Sequence, residues 1–128
     1  MIKISIITVT LNSEGTIRDT LNSVLSQTYK NIEHIIVDGG SNDGTKKLIN
    51  NYRNNKNKVL YKPGAGIYEA INYGIKHASG KFISILNSDD FYSSPDSIKK
   101  IVKILKENPR TKIFLGNVVY FNNFEYYN

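Results

Sequence analysis

Asp89 and Asp90 stand side by side where an apolar run, Phe82-Ile83-Ser84-Ile85-Leu86, gives way to Asn87-Ser88. A second acidic segment is built the same way: Ile35-Ile36-Val37 stops, and Asp38-Gly39-Gly40-Ser41-Asn42-Asp43-Gly44 follows. Adjacent carboxylates at such a place can hold a hard cation, share a proton or cap the next helix, and the pair alone leaves all three open. Asp38 to Thr45, read by itself, is a turn and helix-cap signature. In open α/β sheets, ligands bind in the crevice beyond the carboxyl ends of the strands. Two acidic clusters at two such ends, with no Gly-rich phosphate loop, point to a nucleotide held partly through a divalent cation.

Positioning these groups requires strands that end together, and the sequence alternates strand and helix patterns throughout. Lys3 to Thr10 is β-branched and apolar on both faces, as a buried parallel strand should be. Asn12-Ser13-Glu14 offers cap chemistry, and Ile17, Leu21, Val24 and Leu25 recur at helical spacing. Ile32 to Val37 reads as a second strand, followed by a helix carrying Leu48, Ile49 and Tyr52. Lys58 to Tyr61 is a short third strand. After Pro63-Gly64-Ala65-Gly66, the residues Ile67, Ala70, Ile71, Ile75 and Ala78 mark a third helix. Lys81 to Leu86 is the fourth strand, and Pro95 fits the start of a helix striped by Ile98, Ile101, Val102 and Leu105. A last apolar segment runs from Lys112 to Phe121, interrupted at Gly116-Asn117, before an aromatic tail. The expectation is an α/β fold of right-handed βαβ units with a mostly parallel sheet flanked by helices.

Composition narrows the classes. The 128 residues form one domain, large enough for a real core. Cysteine is absent, which removes disulfides, thiolate chemistry and Cys-based zinc sites. The net charge of +6, from 17 basic and 11 acidic residues, favours anionic partners, but the basic residues are scattered and choose none. Met1-Ile2-Lys3-Ile4-Ser5 enters a strand pattern at once, and no apolar run approaches the ~18 residues that cross a bilayer. A cytoplasmic protein is expected. A dinucleotide-binding dehydrogenase would need G-x-G-x-x-G in the first turn, which reads Leu11-Asn12-Ser13-Glu14-Gly15. A Walker-type loop is also missing, and a response-regulator receiver would carry its acidic pair after the first strand. His34, in a strand, and His77, near a helix end, have no further histidine to form a metal site with.

The motifs together go further. Ser5-Ile6-Ile7-Thr8-Val9-Thr10-Leu11-Asn12, Ser26-Gln27-Thr28-Tyr29, and Ile35 through Thr45 occur in an order that resembles the family 2 glycosyltransferases. Gly66-Ile67-Tyr68-Glu69-Ala70-Ile71-Asn72-Tyr73-Gly74-Ile75 and Leu86-Asn87-Ser88-Asp89-Asp90 extend the match over nearly the whole chain. The resemblance implies the GT-A fold and transfer of a sugar, with inversion, from a nucleotide donor to an acceptor hydroxyl. By the same resemblance Val9 and Leu11 line the base pocket, Asp38 accepts the N3–H of uracil, and Asp43 orders the turn near the nucleoside. Asp89 matches the last aspartate of the family's Asp-x-Asp motif and would ligate Mn²⁺ or Mg²⁺ on the diphosphate, with Asp90 supporting that site.

The implied partners are a UDP-sugar donor and a glycan or lipid-linked acceptor, without nucleic acid, in polysaccharide or glycan synthesis of bacterial type. The implied place is the cytoplasm, with peripheral contact at the inner face of the membrane. Three positions depart from the pattern. Asn87 replaces the first aspartate of Asp-x-Asp, and Gly64-Ala65 replaces an acidic-basic pair. The family's catalytic base lies on a later segment than Asn128, so the 1–128 domain is expected to be incomplete at its C-terminus. The rival expectation is a non-catalytic nucleotide-sugar-binding remnant.

Overall fold

The computed structural model describes residues 1–121 and 126–127. In chain order they form β1 (Ile4–Thr10), α1 (Ile17–Leu25), β2 (Ile32–Asp38), α2 (Thr45–Tyr52), β3 (Asn57–Tyr61), α3 (Ile67–Lys76), β4 (Phe82–Ile85) and α4 (Ser97–Glu107). Two short strands, β5 (Tyr120–Phe121) and β6 (Tyr126–Tyr127), pair antiparallel. The main sheet has the order β3-β2-β1-β4, and all three of its pairings are parallel. Strand and helix positions match the sequence expectation to within one or two residues at each end.

The sheet lies between two helical layers, which is why β1 is buried at all seven positions. On one face Ile4 and Ile6 pack with Val24 of α1 and with Ile98, Val102 and Leu105 of α4. On that same face Ile17 and Leu21 of α1 meet Ile36 of β2 and Ile49 of α2. On the opposite face Ile7, Val9, Ile35 and Val37 pack under Ala70 of α3. Gly74 lets α3 approach closely, because a Cβ there would lie 2.7 Å from Ile7 Cγ2. The helical stripes are less uniform than their spacing suggests. Leu25 and Ile67 are more than half exposed, since each sits at the end of its helix, past the rim of the sheet.

A buried carboxylate ties the amino edge of the sheet together. Glu33 Oε1 accepts bonds from Ser5 Oγ (2.5 Å), Ser79 N (2.5 Å) and Ser79 Oγ (2.9 Å), with the ammonium groups of Lys3 and Lys58 at 3.4 and 3.5 Å. Gly80 N donates in turn to Ser5 Oγ at 2.7 Å. Desolvation pushes the Glu33 carboxyl up, but the bonds from Ser5 and Ser79 and the Lys3 charge outweigh it and bring it down to about 2.

His34, next to Glu33, is core rather than ligand. Its Nε2 lies 2.8 Å from Thr8 Oγ1 and its Nδ1 3.0 Å from the Tyr52 hydroxyl, and burial lowers it to about 3. It is therefore neutral at physiological pH. His77 is the C-cap residue of α3. Beyond α4, only Tyr120–Phe121 of the apolar segment enters a strand, and Ile113 and Leu115 are exposed. Among the described residues no helix is long and apolar enough to cross a membrane.

Candidate functional site

Parallel pairing sends every strand of the main sheet toward one edge. Thr10 at the end of β1 is in register with Asp38 at the end of β2, while Ile7 is in register with Ile85, the last residue of β4. The loops carrying Asp38 and Asp89 therefore leave the sheet at the same edge, on either side of β1. Four loops meet there: 11–16, 39–44, 62–66 and 86–96.

The 39–44 loop is folded around its own carboxylate. Asp38 is fully buried; its Oδ2 accepts from Gly40 N (3.2 Å) and Ser41 N (3.0 Å), and its Oδ1 from Ser41 Oγ (2.5 Å). Such a turn needs a left-handed residue, and Gly40 supplies φ +103° at no steric cost. Ser41 Oγ also accepts from Asn12 N at 2.9 Å, and Asn42 N donates to Asn12 Oδ1 at 2.9 Å. Asn12 itself has φ +50°, a conformation Asn tolerates better than most residues. The 62–66 loop closes on this turn through Lys62 N to Asp38 O (2.9 Å) and Gly64 N to Gly39 O (3.1 Å).

Asp43 accepts from Thr45 N (2.9 Å) and Glu14 N (3.3 Å). Its bonds with Thr45, then that with Glu14, hold its carboxyl below the usual carboxylate range. Val9 is buried in the cluster under α3, whereas Leu11 is 55% exposed at the rim. Ile67 and Tyr68, 66% and 84% exposed, lie at the start of α3, just past the 62–66 loop.

The acidic pair is open where Asp38 and Asp43 are engaged. Asp89 is exposed, and no hydrogen bond or ion pair engages its carboxylate among the described residues. Asp90 is also exposed; Asn87 Nδ2 approaches its Oδ2 at 3.4 Å, leaving its other oxygen open. Among the described residues no group of three or more His, Cys, Asp or Glu could hold a metal ion. The donor set nevertheless suits a hard cation, since such ions take one or two carboxylates and complete their shell with water and substrate phosphates.

Sequence reasoning missed the hydroxyl groups that join these loops. Ser13, expected to cap α1, instead lies 2.8 Å from Ser88 Oγ, and its amide donates to Thr45 Oγ1 at 2.8 Å. The N-cap position of α1 falls to Thr16, whose side chain makes no cap bond. Thr20, not singled out in the sequence, and Gln27, noted only within a motif, are both buried against the loop that follows β4. The one available signal was the polar spacing of Thr20 and Ser23 on α1 and of Gln27 two residues past its end. Glu125, the one carboxylate after Leu115, lies outside the described residues, as do Asn122, Asn123, Phe124 and Asn128.

Known proteins share both sequence and fold. Over 117 residues the chain is 39% identical to a glycosyltransferase of Rickettsia conorii, covering 88% of this chain and 19% of that one. Over 125 residues it is 32% identical to the glycosyltransferase GlyA of Streptococcus pneumoniae, covering 96% of this chain and 18% of that one. The chain therefore spans about a fifth of either relative. Among solved structures, TarS of S. aureus in complex with UDP-GlcNAc superposes with a TM-score of 0.78 at 30% identity, over 84% of this chain and 32% of that one. The mannosyltransferase PcManGT of Pyrobaculum calidifontis, in complex with GDP-Man and Mn²⁺, superposes with a TM-score of 0.75 at 23% identity, which speaks to the fold alone. The parallel sheet between helical layers is that of the GT-A glycosyltransferases. The family model for "Glycosyl transferase family 2" matches residues 5–128, and the chain belongs to that family.

Proposed function

We propose that these residues form the donor half of an inverting glycosyltransferase that takes a UDP-sugar. The observation that carries this reading is the shared edge: the Asp38–Asp43 turn and the unengaged Asp89 carboxylate flank the end of β1. The likeness to TarS, solved with UDP-GlcNAc and with UDP, supports the donor class.

In this reading the nucleoside lies against Leu11 and the backbone of Val9, with Asp43 holding the turn beside it. Three of the roughly four acceptor positions of the Asp38 carboxylate are already taken. The N3–H of uracil would take the position left on Oδ1, beside the Ser41 hydroxyl. Asp89, supported by Asp90, holds Mn²⁺ or Mg²⁺ together with the diphosphate oxygens. That ion, when bound, supplies Lewis-acid neutralisation of the charge on the departing nucleoside diphosphate. Asn87 in place of a third carboxylate lowers the negative charge of the protein ligands, so the phosphates carry more of the coordination.

The acceptor is a glycan or lipid-linked hydroxyl, in polysaccharide or glycan synthesis, at the cytoplasmic side of a membrane with which the protein associates peripherally. No described residue is assigned as the base that deprotonates it. A thermal-shift screen of UDP-, GDP- and dTDP-sugars with and without Mn²⁺ tests the donor class. Stabilisation by UDP-sugars, larger with Mn²⁺ than with EDTA, is expected; equal stabilisation by all three nucleotides would refute the uracil contact.

A further inference from the structure

The acidic loop has no regular structure of its own between Leu86 and Asp96, yet its carbonyls are held at defined points by α1. Thr20, fully buried, places Oγ1 3.0 Å from Ser88 O and 2.7 Å from Asp90 O. Its single proton is shared between the two carbonyls that flank Asp89. One helical turn on, Ser23 Oγ accepts from Tyr92 N at 3.2 Å. Just past the end of α1, Gln27 Nε2 donates to Ser94 O (2.8 Å) while its Oε1 accepts from Ile98 N (3.0 Å). Thr20 and Ser23 lie on α1 and Gln27 two residues past its end, and the three follow one another along the loop in the order of its own residues.

We infer that Thr20 is a positioning residue for the donor diphosphate: by clamping the backbone on both sides of Asp89, it fixes the point from which that exposed carboxylate reaches a divalent cation. This inference rests on the metal role proposed above for Asp89. Ser23 and Gln27 anchor the remainder of the loop, so that α1, whose own side chains touch no ligand, sets the geometry of the site. Removing the Thr20 hydroxyl leaves the Ser88 and Asp90 carbonyls without this donor, which favours loop conformations that turn toward water. Metal-supporting groups of this kind typically contribute 10–100-fold to metal affinity.

The test measures UDP binding to the 128-residue chain by calorimetry, with Mn²⁺ and with EDTA, alongside amide hydrogen exchange at residues 88–92. Thr20→Val keeps the shape and removes the hydroxyl; Thr20→Ser keeps the hydroxyl. Thr20→Val is expected to lower the Mn²⁺ enhancement of UDP affinity about tenfold, to leave EDTA binding within about twofold, and to speed exchange at Asp90 and Tyr92. Thr20→Ser is expected to restore all three. An unchanged enhancement in Thr20→Val, or an equal loss with and without metal, would overturn the inference. If the wild-type chain shows no Mn²⁺ enhancement, the metal role of Asp89 fails and the positioning of the diphosphate fails with it. Exchange then decides the clamp alone: faster exchange in Thr20→Val upholds it, unchanged exchange overturns it.

Discussion

The hydroxyl of Ser13 lies 2.8 Å from the hydroxyl of Ser88, joining the loop after β1 to the loop after β4 across 75 positions of sequence. The same Ser13 donates its amide to Thr45 Oγ1 at the start of α2. One residue thus touches the loop after β4 and the start of α2 at once. Individual Ser13→Ala and Ser88→Ala substitutions are each expected to lower stability by about 0.5–1.5 kcal/mol. The double variant should lose less than their sum, with a coupling of about 1 kcal/mol measured by urea unfolding. Additive losses would show that the hydroxyl pair contributes nothing of its own.

Acid should destabilise the protein in two successive windows. The His34 pKa is depressed to about 3 from 6.5, so its contribution is complete above the unfolded value and is lost as pH falls from about 6.5 toward 3. Glu33 is likewise depressed, to about 2 from 4.5, so its contribution is lost between about 4.5 and 2. His34→Gln, which keeps polar atoms against Thr8 and Tyr52, is expected to flatten the decline between pH 6.5 and 4.5. Glu33→Gln should be less stable than wild type at pH 7 by up to about 3 kcal/mol, the difference closing as pH approaches 2. Urea midpoints across pH 2.5–7 check both; parallel curves for wild type and variants would contradict them.

Gly80 is required by contact rather than by dihedral angle. A Cβ there would meet Ser5 Oγ at 2.5 Å and Ser5 N at 2.6 Å, and the second of these is backbone that cannot swing away. Gly80→Ala is expected to cost about 1–3 kcal/mol and to weaken the Ser5–Glu33 bond, so it should also reduce the acid sensitivity below pH 4.5. Thermal unfolding at pH 7 and pH 3.5 reads both effects.

The architecture was legible because its signals are local. A β-branched run such as Ile4 to Thr10, and the 3.6-residue recurrence of Ile17, Leu21 and Val24, depend on neighbours within one element. The meeting of Asp38 and Asp89 at one sheet edge followed from parallel pairing, since parallel strands all end on the same side. What the sequence did not show depends on distant partners. Ser13 resembles a helix cap, but its hydroxyl goes to Ser88 because the fold brings that residue within reach. Thr20 and Gln27 carry no local signal, because their partners are carbonyls of the irregular loop after β4, about 70 positions away. Asp38 resembles an open acceptor, but its carboxylate is buried and engaged by its own turn. Glu33 gave no signal, since nothing near it in sequence announces Ser79 or Lys58.

The central claim is that Asp89 holds a divalent cation together with the donor diphosphate, and calorimetry of UDP binding addresses it most directly. UDP is expected to bind the wild-type chain at least about tenfold more tightly with Mn²⁺ or Mg²⁺ than with EDTA, and Asp89→Asn should abolish that gain while leaving binding in EDTA unchanged. UDP affinity that is indifferent to EDTA, or a metal enhancement that survives Asp89→Asn, would contradict the account.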